Sequence, residues 1–259
     1  MAIGENNLNI LTRWLGDVLQ GATFLTRLPV PLNEETQARP LATVAWSFPV
    51  VGLFIGGLAG LALTIGFQLG LHPLVCGLFA IGAQILVTGA LHEDGVADVA
   101  DGFGGAREIA DKLRIMRDSM LGSYGVLALI FSITIRAGAL ASMATPTTAV
   151  LALIAAAAVS RAMVVALMNQ MEMARTDGLA SGAGKPTGEG MMVALGLAAV
   201  SAFLLLGAAG WVVLAVAAVA AFGVGMLAKR QIGGVTGDVL GAVQQVTEAA
   251  VLLAAAAVL

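Results

Sequence analysis

The chain of 259 residues is short of charge: 13 basic and 16 acidic side chains make up only 11% of it, against about 25% in soluble domains. A water-soluble globule of this length needs a charged surface to cover its core. Here the runs 191–228 and 139–168 hold one ionisable group between them, Arg161. Only a bilayer accepts such surfaces, so the ordinary soluble classes are excluded. Cysteine is almost missing too, and Cys76 alone cannot build a disulfide framework. With 59% hydrophobic residues the chain is too apolar for disorder, and its 33 glycines lack the three-residue period of collagen. The only histidines, His72 and His92, do not make a zinc set with one buried-type cysteine. A net charge of −3 offers nucleic acid no basic field.

What is present in abundance is long apolar sequence. A spanning helix needs about 20 apolar residues to cross the hydrocarbon core. Windows of that size fall at 42–67, 73–91, 124–144, 148–170, 191–206, 211–228 and 246–259. The expected fold is therefore all-α, a polytopic membrane bundle of about seven transmembrane helices forming a single domain over 1–259. The connectors alternate in charge. Arg13, Arg27 and Arg39 precede the first span; Arg107, Lys112, Arg114 and Arg117 follow the second; Arg175 and Lys185 follow the fourth; Lys229 and Arg230 follow the sixth. The intervening connectors, around Gly70, Thr145 and Gly207, hold no Lys or Arg. By the positive-inside rule the amino terminus and all these charged segments face the cytoplasm, as expected of a bacterial inner-membrane protein. Glycine pairs such as Gly52/Gly56 and Gly56/Gly60 permit close helix packing, within one chain or between chains of a homo-oligomer.

The first 28 residues show no compact apolar core with a cleavage site, so no signal peptide is expected. Instead Leu8, Leu11, Leu15, Val18, Ala22 and Leu25 recur at helical spacing with Arg13 and Asp17 off the stripe. This predicts an amphipathic helix within a cytoplasmic or interfacial segment 1–40.

Chemistry concentrates in a cytoplasmic segment, 92–120, which carries seven of the sixteen acids and four of the thirteen bases. Asp94, Asp98 and Asp101, spaced four and then three residues apart, share one face of a helix and repel one another. One reading is a solvated loop that stops the second span. The other is a cation site: Glu93, Asp94, Asp98 and Asp101 are hard oxygen ligands at the membrane surface, and Gly95, Gly102, Gly104 and Gly105 allow close approach. Such ligands suit a divalent ion, Mg²⁺ held together with substrate phosphates. Arg107, Lys112, Arg114 and Arg117 are then partners for phosphate oxygens, or, taken singly, lipid contacts. The run beginning at Gly182 is not a phosphate loop, because Leu179 stands where glycine is required and Pro186 where Ser or Thr is required.

The run Leu91-His-Glu-Asp-Gly-Val-Ala-Asp-Val-Ala-Asp-Gly, then Ile115-Met-Arg-Asp-Ser, Gly122 to Gly125, and Gly233-Gly-Val-Thr-Gly-Asp-Val-Leu-Gly resemble the cobalamin synthase family. Phe24-Leu-Thr-Arg-Leu-Pro-Val-Pro and Ser160-Arg-Ala fit the same likeness, which runs from about residue 20 to the carboxyl end. The resemblance implies a membrane transferase of cobalamin nucleotide-loop assembly. It would join adenosylcobinamide-GDP to α-ribazole or its 5′-phosphate, release GMP and use Mg²⁺. On that reading the metal falls to the acidic run with help from Arg114 and Arg117. His92 and Asp118 compete as general base, and Asp238 folds back to complete the metal site or orient ribazole. Arg161, inside a span, is either functional or one half of a structural salt bridge.

Two other classes stand beside it. Asp98-Val-Ala-Asp101-Gly-Phe-Gly-Gly-Ala-Arg107 comes within one residue of the CDP-alcohol phosphotransferase signature, though the downstream acidic pattern is missing. A transporter would place its ionisable groups near mid-membrane, whereas here nearly all but Arg136 and Arg161 lie at one edge.

Overall fold

The computed structural model describes residues 2–175 and 182–259, with side chains described from residue 11; Leu8 and Leu179 of the readings above fall outside the described side chains. Twelve α-helices are described: α1 (Ala2–Leu25), α2 (Glu34–Gln37), α3 (Leu41–Val44), α4 (Phe48–Gln68), α5 (Pro73–Thr88), α6 (Leu91–Gly105), α7 (Ile109–Ile115), α8 (Ser123–Ala141), α9 (Pro146–Gln170), α10 (Gly188–Leu206), α11 (Gly210–Ile232) and α12 (Gly237–Val258). The all-α expectation holds. Local signals set the helix starts. Thr145, Thr187 and Thr236 each accept a hydrogen bond from a backbone N–H of the first turn, and Pro73 and Pro146 fill first-turn positions where no N–H is needed.

Five helical stretches are long and apolar enough to cross a membrane: Leu41–Gln68, Ser123–Ala141, Pro146–Gln170, Gly188–Ile232 and Gly237–Val258. The count differs from the expected seven for two reasons. The window at 73–91 is cut short, because Gly89 (φ +64°) and Ala90 (φ +60°) both adopt left-handed backbone and turn α6 by 95° from α5; counted as one bent span, the pair makes six. The windows at 191–206 and 211–228 fall in one 45-residue stretch. That stretch doubles back: Asn169 at the end of α9 donates to Pro186 O just before α10, while Gly225 of α11 packs on Leu167 and Met171 at the same end of α9. The last span also begins earlier than 246, at Gly237.

The bundle is organised around α9, which is buried along nearly its whole length and contacts α4, α10, α11 and α12. Glycine makes the tightest of these crossings possible. A Cβ on Gly56 would lie 2.7 Å from Ile154 Cα, and one on Gly52 would strike the Ala157 carbonyl. The glycine pairs seen in the sequence thus serve packing inside one chain. Cys76 is buried, as a small core residue is expected to be.

The leading helix corrects one detail. Val18, Ala22 and Leu25 pack on the bundle, but Leu11 and Leu15 of the stripe are exposed, together with Trp14. Asp17, expected off the apolar face, is buried. It is ion-paired to Arg39, accepts a 2.9 Å hydrogen bond from Trp46 Nε1, and so ties α1 to the entrance of α4.

Candidate functional site

Helix α6 carries the acidic run alongside α8 and α12, with Glu93 level with Arg136 and Gln245 and Asp101 at Gly122, the start of α8. It lies outside the five spanning stretches and packs between α8 and α12. Its approach to α12 depends on a glycine: a Cβ on Gly95 would stand 2.6 Å from Asp238 O and 3.1 Å from Gly241 Cα. This contact brings the amino end of α12, with Asp238, against the acidic face of α6.

A second glycine brings in a residue that the sequence reading used only for topology. The strand-like segment after α9 pairs with the segment before α12 through Ala174 N to Val235 O (2.8 Å) and Val235 N to Glu172 O (3.0 Å). Gly234 allows this approach, since a side chain there would meet the Glu172 carbonyl. The pairing sets Arg175 beside Asp238, with Nη2 donating to Oδ2 at 3.1 Å; Thr236 Oγ1 donates to the same oxygen at 3.2 Å. Asp238 Oδ1 has no partner among the described residues. Arg175 Nη1 is buried and likewise has none among them. A guanidinium nitrogen withdrawn from water without a partner is costly, and an anion is what it lacks. The only sequence signal for Arg175 was its place in a basic connector.

These groups border a cavity of about 290 Å³ lined by His92, Asp94, Arg175, Thr236 and Asp238 on its polar side and by apolar residues elsewhere. The Asp98 carboxyl belongs to the same electrostatic cluster. Burial, with the Asp94, Asp238 and Asp101 carboxylates, pushes it up to about 7 against the opposing pull of Arg175. The cluster is surplus in negative charge.

The remaining predicted residues are placed elsewhere. Glu93, one position before Asp94, points into the bundle, where it accepts from Arg136 Nη2 (3.1 Å) and Gln245 Nε2 (3.0 Å). Arg136 also binds Glu248 at 3.2 Å, and Glu248 lies 3.7 Å from Arg161, so two acids and two bases form a buried ion network. This gives Arg161 the salt-bridge role. Both oxygens of Asp101 accept backbone hydrogen bonds at the start of α8, from Gly122 N (2.7 Å) and Gly125 N (2.9 Å). Asp118 is exposed and accepts from Met120 N in its own loop. Lys112 is buried and bonded to Gln231, joining α7 to α11. Arg114 pairs with Asp111 in solvent, and Arg107 and Arg117 are exposed. None of Asp118, Arg107, Lys112, Arg114 or Arg117 lines the cavity.

Among the described residues, no three His, Cys, Asp or Glu side chains converge closely enough to hold a metal ion between them. The donor chemistry nevertheless suits Mg²⁺, which binds through one or two carboxylates together with substrate phosphates rather than in an all-protein cage. Asp94 and Asp98 are two such carboxylates, crowded by like charge that a cation relieves.

The comparisons with known proteins agree with the motifs. The family model for cobalamin-5-phosphate synthase matches residues 17–256. A protein of Bradyrhizobium diazoefficiens named adenosylcobinamide-GDP ribazoletransferase is 43% identical over 244 residues, 94% of each chain. Relatives of the same name in Mesorhizobium japonicum (42%, covering 95% of this chain and 94% of theirs) and Azorhizobium caulinodans (43%, covering 93% and 96%) are similar over the same extent. No solved structure matches. Agreement over nearly the full length speaks against the CDP-alcohol phosphotransferases and against a transporter, and the chain belongs to the cobalamin-5-phosphate synthase family.

Proposed function

We propose that this multi-pass membrane protein is a transferase that joins adenosylcobinamide-GDP to α-ribazole or its 5′-phosphate and releases GMP. One observation carries the reading beyond the family match: Asp94, Asp238 and Arg175, drawn from three separate parts of the chain, line one cavity, and Asp98 is electrostatically coupled to all three. The basic connectors, by the positive-inside rule, support a cytoplasmic position for the charged end of the bundle, in a bacterial inner membrane.

In the reaction, the acceptor's ribose oxygen forms a bond to the phosphorus that carries cobinamide. The bond from that phosphorus to the bridging oxygen breaks, and the electron pair leaves on GMP. Asp94 and Asp98 would hold Mg²⁺, which supplies charge neutralisation of the diphosphate. Arg175 offers its free Nη1 to a phosphate oxygen while Nη2 keeps hold of Asp238. Asp238 receives the proton of the attacking hydroxyl on Oδ1, the oxygen that neither Arg175 nor Thr236 engages. His92 lines the cavity wall, whereas Asp118 lies outside it.

The test is direct. Purified protein in detergent or liposomes is given adenosylcobinamide-GDP, α-ribazole and Mg²⁺, and GMP release is followed. Release above a boiled control that stops on chelation is the expected result; no release sinks the transfer, and release that survives chelation sinks the metal.

A further inference from the structure

We propose that the cavity seats the base of the acceptor nucleoside, and that it selects a bicyclic aromatic base with no exocyclic hydrogen-bonding groups. The inference rests on the transfer reading above and adds which of the two substrates enters.

The cavity is two-sided. Asp94, Arg175, Thr236 and Asp238 are bound or electrostatically coupled to one another and so gather on one side. The rest of the lining is apolar and includes Leu25, Phe48, Val164, Met168 and Leu240, all of them buried, with Phe24 stacked on Phe48 at a ring separation of 5.9 Å and an interplanar angle of 13°. A ligand that fills it is apolar at one end and polar at the other. Its volume of about 290 Å³ lies at the bottom of the roughly 300–1,000 Å³ range of small-molecule sites. A nucleoside is of that scale and a corrin macrocycle is several times larger, so the bulk of the donor stays outside.

The donor's guanine is the competing occupant. Its carbonyl, ring N–H and amino groups each need a partner once removed from water, and the apolar part of the lining carries no side chain to supply one. A benzimidazole attached to ribose through one nitrogen keeps a single ring acceptor and two apolar edges. Such a base is stabilised by the stacked aromatic pair and the Met168 thioether. With the base against this wall, its ribose lies on the polar side, next to Asp238 and Arg175. A more open recess shares Phe24, Leu41 and Ala183 with the cavity and continues past Gln20 and Thr23; it leaves room for the larger donor beside the smaller acceptor.

Binding of α-ribazole and of GMP to the detergent-solubilised protein, measured separately by calorimetry without donor, tests the assignment. Val164→Phe fills the apolar wall and is expected to weaken α-ribazole about tenfold or more while GMP binding stays within about twofold. Val164→Ala enlarges the wall and is expected to admit a naphthimidazole riboside that the wild type rejects, a gain that misfolding cannot produce. Weaker GMP binding with α-ribazole unaffected overturns the assignment, as does equal loss of both ligands or an unchanged base preference in the enlarged variant. Intact α-ribazole binding without GMP release in the transfer assay would instead overturn the transfer reading and leave the base site in place.

Discussion

Glu93 and Asp94 are consecutive acids on one helix, and they belong to different chemistries. Glu93 joins Arg136, Glu248 and Arg161 in a buried network where two negative and two positive charges balance, supported by Gln244, Gln245 and Ser160. Asp94 and Asp238 stand at the cavity, coupled to Asp98 with too little positive charge between them, and burial together with these like charges raises the Asp98 carboxyl to about 7. The contrast shows how to sort charges in a membrane protein. A balanced set sealed in the bundle holds helices together, while an unbalanced set open to a cavity awaits a cation or a charged ligand.

Breaking the balanced set has the largest expected effect. Arg136→Met leaves Glu93 and Glu248 buried without their shared partner, at a cost of about 3–5 kcal/mol; thermal unfolding in detergent and the yield of inserted protein measure it. At the unbalanced set the effect moves from stability to activity. Asp94→Asn and Asp98→Asn should each lower turnover about 100-fold, with insertion and unfolding temperature at least those of the wild type, because one of several repelling carboxylates has gone. Wild-type rates in either variant would remove that residue from the metal set.

Gly95→Ala tests the contact that brings the two sets of elements together. Its Cβ meets the α12 backbone, so a cost of about 1–3 kcal/mol is expected, with loss of activity beyond what the unfolding temperature explains. The pH dependence is subtler. A carboxyl whose pKa is raised holds its proton up to about pH 7 in the cation-free protein, and proton and Mg²⁺ compete for the deprotonated form. Apparent Mg²⁺ affinity should therefore fall about tenfold per pH unit as pH drops below 7 and level off above it; Asp98→Asn should flatten that profile. The smallest effect belongs to Arg114→Ala. Its exposed pair with Asp111 is worth no more than about 0.5 kcal/mol, and the transfer rate should stay close to wild type because the side chain is outside the cavity.

Much of the site could be read before the fold. The apolar windows located the helices, and the acidic density at 92–120 located α6 together with Asp94 and Asp98. What the linear pattern could not show is rotation about the helix axis and the return of distant segments. Asp101 shares the spacing of Asp94 and Asp98, yet both its oxygens are taken by backbone N–H groups at the start of α8, 21 and 24 residues further on. The bases nearest in sequence to the acids lie outside the cavity lining. Arg175 lines the cavity because the pairing of its segment with Val235 delivers it there, and no local spacing encodes such a pairing.

Composition and periodicity dictated the solvent, the helical class and the charged end of the molecule, because these follow from transfer free energy and backbone satisfaction residue by residue. Which carboxylates stay unpaired, which guanidinium keeps a free nitrogen, and that an apolar chamber lies beside them were decided only in three dimensions. Each depends on the close approach of α6, α9 and α12 through Gly95, Gly234 and Gly241, and contacts at such separations are set by how helices pack.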